Sequence, residues 1–90
     1  MKSNTVINTH DGARIAKRLL NHWKHKFEVS EIEQVTAIMM PDATILLTPS
    51  PENLHVQIDS RLADNSHLEN VVLAHLNRMA KQEFEATWTH

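Results

Sequence analysis

The 90-residue chain predicts a single two-layer α+β domain spanning 1–90. Two helices should lie on one face of a mostly antiparallel sheet, in the order β-α-β-β-β-(β)-α-β. Three observations carry this. Ile15, Leu19, Trp23 and Phe27 recur at the spacing of one helix face, and Leu68, Val72, Leu76 and Met79 do so again near the far end. Between these stretches apolar and polar residues alternate, most cleanly where Leu54, Val56 and Ile58 interleave with His55, Gln57 and Asp59. The turns joining the alternating stretches are short, and tight turns oblige neighbouring strands to run antiparallel.

Taken in order, Asn4 to Thr9 mixes Thr, Val and Ile with polar residues and predicts a first strand. Asp11 is placed as the N-cap of a helix running to about His25, its carboxylate accepting from free backbone N–H groups. Gly12, the only glycine in the chain, falls in the first turn of that helix. Phe27–Val29 predicts a short strand and Gln34–Met40 a longer one. Pro41-Asp42 makes a turn into the next strand, Ala43–Thr48, and the proline-rich run Pro49 to Asn53 makes another. Leu54 to Asp59 follows as a half-buried strand. A second helix starts at Asp64, Asn65 or Ser66 and runs to about Lys81, with Val71 and His75 inside its apolar arc. Phe84, Ala86 and Trp88 alternate with Glu85, Thr87 and Thr89, which predicts a closing strand.

If Leu54, Val56 and Ile58 face the helices, then His55, Gln57 and Asp59 look outward. The hairpin strands are expected to add Ile38, Met40 and Leu46 to that outer face, opposite Ala37, Met39, Ile45 and Leu47. Such a partly apolar face suits a homodimer or a docking surface.

Composition narrows the function classes. Apolar residues make up 41 %, enough for a globular core. With no cysteine there is no disulfide framework, thiolate site or cysteine nucleophile. No apolar leader or spanning stretch occurs, so the cytoplasm is the expected location and no membrane partner is expected. Net charge is −2, which sets up no general field toward nucleic acid, and the basic residues lack an aromatic platform. The charge is nevertheless uneven. Arg14, Lys17, Arg18, Lys24 and Lys26 fall in one acid-free stretch on the first helix.

Seven histidines invite attention. His10 and His90 lie at a strand end and at position 90, and little is expected of them. His55 sits on the outward side of a strand, and His67 lies off the stripe of the second helix. His22 and His25, in the stretch HWKHK, are three apart and are the candidate metal ligands, for iron or zinc. A third ligand is missing from the local sequence, and the alternative has His22 packing and His25 solvated. His75 lies in the apolar arc of the second helix and is expected to face the sheet. It is then either a neutral histidine bonded to a carbonyl or hydroxyl, or a group lining a small pocket. Arg14, Arg18 and His22 follow one edge of the first helix and could take a carboxylate, phosphate or catecholate. Solvated surface charge is the plainer reading of the same stripe. A phosphate-cradling loop and a nucleophile elbow are both missing, so a binding domain is expected ahead of an enzyme.

The helix ARIAKRLLNHWKHKFEV together with VVLAHLNRMAKQEFEATW resembles a small bacterial family, domain of unknown function 2218, almost end to end. The matching positions are Leu20, His22, Trp23, His25 and Lys26, then His75, Leu76, Arg78 and Met79, and last Trp88. The chain departs from it at the central hairpin, reading Met40-Pro41-Asp42-Ala43 where members often carry an aromatic residue and a glycine. The resemblance implies an accessory role in iron or siderophore metabolism, since some members are found beside or fused to siderophore-interacting flavoproteins. The ligand, an anionic small molecule, or a siderophore-related protein partner would meet Arg14, Arg18, His22, His25, His75 and Arg78.

Overall fold

Alternating side chains build the sheet. In the computed structural model, which describes residues 1–90, the strands are β1 (Lys2–Asn8), β2 (Glu28–Ile32), β3 (Val35–Met40), β4 (Ala43–Pro49) and β5 (Asn53–Ser60). They form one sheet in the order β1-β5-β4-β3-β2, with every neighbouring pair antiparallel. Helices α1 (Gly12–Trp23) and α2 (Ser66–Ala80) cover one face of it. The predicted α+β sandwich is therefore the fold, with corrections at three places. Neither helix is long and apolar enough to cross a membrane.

Cross-strand pairs on the covered face make the core. Ile38 stands opposite Ile45, Ile45 opposite Ile58, and Leu47 opposite Val56, all fully buried. Ile15, Leu19 and Trp23 of α1 and Val72 and Leu76 of α2 close over them. Burying each of these large side chains contributes roughly 1.5–3 kcal/mol.

The first correction concerns parity in the hairpin. The two-residue turn at Pro41-Asp42 sets Met40 opposite Ala43, so Ile38 falls on the same side as Ile45. Ile38 is buried and Met40 packs partly buried against the core. Of the three residues expected to look outward only Leu46 does, with Ala37 opposite it and Met39 beside Thr44.

The second correction is at α1 and β2. The helix ends at Trp23, because the Trp23 carbonyl accepts from the N–H groups of both Lys26 and Phe27 and turns the chain. His25 thus lies beyond the helix. β2 extends further than Phe27–Val29 and reaches Ile32, where Glu33 (φ 50°) and Gln34 (φ 71°) make a two-residue hairpin turn. Two successive positive φ values are the signature of a type I′ turn, the geometry that matches strand twist.

The third correction removes the closing strand. Residues 84–88 hold no ladder; the tail touches β1 through the Asn4–Thr89 bridge and a hydrogen bond from Thr5 Oγ1 to the Thr87 carbonyl of 3.0 Å. Phe84 and Trp88 still pack partly buried on the core. α2 itself stops where Lys81 takes a left-handed conformation (φ 56°), and the Gln82 and Lys81 N–H groups close back on the Asn77 and Arg78 carbonyls.

Asp11 does sit at the N-cap of α1, but its carboxylate makes no capping bond and instead pairs with Arg14 at 2.7 Å. Gly12 is there because of a close approach. A Cβ at this position would lie 3.1 Å from the Asn53 carbonyl oxygen and 3.3 Å from Pro49 Cβ, tying α1 closely to the β4–β5 turn.

Candidate functional site at the seam of the two helices

α1 and α2 run antiparallel, with Arg18 beside Met79 and His22 beside His75. The ring of His75 lies 4.7 Å from that of Trp23 and 5.5 Å from that of His22, centroid to centroid. Trp23 in turn meets Phe27 edge-on at 5.9 Å. The helical spacing explains the cluster. Trp23 continues the buried stripe of Ile15 and Leu19, and His22, one position earlier, rides at the seam with its ring exposed. His75 is half-buried, one step round from the buried pair Val72 and Leu76.

His75 therefore faces α1 and not the sheet, which corrects the expectation for it. Its Nδ1 lies 2.8 Å from the Val71 carbonyl oxygen one turn back. A carbonyl can only accept, so Nδ1 carries a proton, and in the neutral ring Nε2 keeps the lone pair. This is the carbonyl-bonded histidine that the sequence suggested.

The basic stripe is largely occupied. Arg18 Nη1 donates to the Met79 carbonyl at 2.8 Å, satisfying a free acceptor in the last turn of α2 and placing a cation at the negative end of its dipole. Arg14 is held by Asp11, and Lys17 by Glu31 at 3.3 Å. His25 is exposed in the turn after α1, and the nearer ring neighbour of His22 is His75, at 5.5 Å against 6.4 Å for Trp23. Arg78 is exposed in the last turn of α2 and enters no ion pair. No three His, Asp or Glu side chains converge as a metal-ligand group.

Of the six predicted site residues the seam thus collects His22 and His75, with Arg18 engaged beside them. Sequence reasoning missed a second polar centre at the other end of α2. Asn65 and Glu69, both buried, meet Ser3 and Ser60 there. Ser3 Oγ donates to Glu69 Oε2 at 2.6 Å, Asn65 Nδ2 donates to Ser3 Oγ at 3.0 Å, and Ser60 Oγ donates to Asn65 Oδ1. His90 Nε2 lies 2.6 Å from the same Glu69 oxygen, so His90 has a structural contact that was not expected of it. The available signal was Glu69 itself, an acid in helical phase with Val72 and Leu76. This network joins β1, β5, α2 and the tail, and its groups satisfy one another.

The chain matches, over residues 4–89, the family described as uncharacterized protein conserved in bacteria, domain of unknown function 2218, and belongs to it. Among solved structures it is similar to the NMR structure of PA4090 from Pseudomonas aeruginosa, with 34% sequence identity and a TM-score of 0.82. That likeness covers 98% of this chain and 94% of the other. No curated protein matches.

Proposed function

We propose that the protein is a small binding domain whose ligand or partner meets the α1–α2 seam at His22 and His75, with Arg78 at its margin. The observation that carries this reading is the convergence of His22 and His75 beside the buried Trp23 ring. Imidazole is both a hydrogen-bonding group and a ligand for metals, and the unpaired Arg78 guanidinium offers a fork for a carboxylate or phosphate. The iron- or siderophore-linked form of the reading rests on the family resemblance and on this donor set, which suits an anionic chelate. A cytoplasmic address accords with the lack of cysteine. Titration of the chain with a ferric catecholate, followed through the histidine side-chain NMR signals, tests it. Shifts at His22 and His75 that His55 does not share support the reading; unmoved His22 and His75 signals at saturating chelate remove it.

A second reading places a homodimer or docking contact on the uncovered sheet face. Leu46 and Met39 look outward there, and Val6 and Ile32 are 52% and 69% exposed at its two edges. Light scattering across concentration compares the native chain with Leu46→Asp. Concentration-dependent association lost in the variant supports this contact, and a monomer at every concentration eliminates the dimer.

A further inference from the structure

We infer that His22 and His75 together hold one borderline divalent metal ion, of the zinc and copper class, in a two-imidazole site open to further donors. This rests on the reading of the α1–α2 seam as the binding surface and names the kind of ligand it takes. The separation fits. The two ring centroids are 5.5 Å apart, and imidazoles sharing one ion at a metal–nitrogen distance of ~2.0–2.1 Å stand with centroids about 5 Å apart. The hydrogen bonding of His75 also leaves a nitrogen free. Because His75 gives its Nδ1 proton to the Val71 carbonyl, Nε2 is left to coordinate, and a backbone carbonyl on the second nitrogen is the arrangement that orients metal-binding histidines. Packing restrains the ring. Trp23, 5% exposed, lies 4.7 Å from the His75 centroid and limits its rotation. Uncharged imidazole is a borderline donor, which favours zinc or copper over hard cations such as magnesium or calcium. With no third protein ligand converging, the remaining positions fall to water or to a donor atom of an incoming molecule. That is an open site, not the closed four-ligand cage of a structural zinc.

The test is a zinc titration of the full chain by calorimetry and histidine NMR, with His22→Ala, His75→Gln and the control His25→Ala. His22 is exposed, so His22→Ala keeps the fold even where a change at His75 disturbs it. One bound ion per chain, affinity reduced at least about tenfold in both seam variants and unchanged in His25→Ala, is the expected result. Equal zinc binding in His22→Ala, or an equal loss in His25→Ala, overturns the inference. A parallel titration with the ferric catecholate separates the two levels. Shifts at His22 and His75 with the chelate but no zinc binding discard the metal and keep the seam as a binding surface; silence in both titrations discards both.

Discussion

Thr36 Oγ1 is the one buried side-chain polar atom without a hydrogen-bond partner. It sits on the inner face of β3, opposite Leu47, and the residue lines the floor of an open pocket of about 280 Å³ with Ala13 and Ala16. A buried hydroxyl left unpaired costs roughly 1–3 kcal/mol, and valine has nearly the same shape. Thr36→Val is therefore expected to stabilise the fold by about 1 kcal/mol, read as a higher denaturant midpoint at unchanged slope. Asp64 supplies the pH-dependent counterpart. Its Oδ1 accepts the Ser66 backbone N–H at 2.8 Å, and that bond, with a second from the Ser66 side chain, holds the carboxyl below its ordinary value of 3.8. A depressed carboxylate stabilises above its unfolded value and loses that contribution as pH falls through the folded one. Asp64→Ala is accordingly less stable than the native chain at neutral pH, and the gap closes well below pH 3.8. Thermal unfolding at both extremes checks this, and a gap that persists in acid contradicts it. At this scale the sequence was legible for Trp23 and for the hydrogen bonding of His75. It misled on which way His75 faces, because a helical arc shows only that a residue is near the core. Which neighbour it meets depends on how the second helix is laid beside it.

At the scale of elements, both helices were legible because their apolar stripes keep one period over several turns. β4 was legible because proline-bearing turns bracket it, and β5 because Leu54, Val56 and Ile58 alternate cleanly with polar residues. The β2–β3 hairpin was not, since Glu33-Gln34 carries none of the usual turn chemistry although both residues adopt positive φ. That conflict predicts a gain. Replacing Glu33-Gln34 by Asn-Gly relieves two unfavourable backbone conformations and is expected to stabilise by about 1 kcal/mol, with the β2–β3 register unchanged by NMR. A destabilised double variant would show that Glu33 or Gln34 makes contacts worth more than the turn. The face error in β3 has a related origin. Met40, Met39 and Ile38 are all apolar, so alternation does not choose a side, and only the two-residue Pro41-Asp42 turn fixes parity. The closing segment fails for a different reason. Alternation describes a half-buried surface, yet a strand also needs a ladder, and the tail is tied to β1 only by Thr87 at Thr5 and Thr89 at Asn4.

Across the whole molecule the two faces of the sheet are unequal. α1 and α2 bury one face, and the tail touches the free edge of β1 through Thr87 and Thr89 and reaches Glu69 of α2 through His90. The other face and the outer edge of β2 stay open, while the seam between the helices carries the imidazole pair. Motif positions far apart in the chain, around residues 22 and 75, become neighbours only because α2 lies antiparallel on α1. Spacing along one helix pointed to His22 with His25, whereas tertiary packing selects His22 with His75. The measurement closest to this claim is a nuclear Overhauser spectrum of the ring protons in solution. Cross-peaks linking His75 to both His22 and Trp23 are predicted. His75 cross-peaks running instead to sheet residues such as Val56 and Ile58, with none to His22, would contradict the seam and every binding role assigned to it.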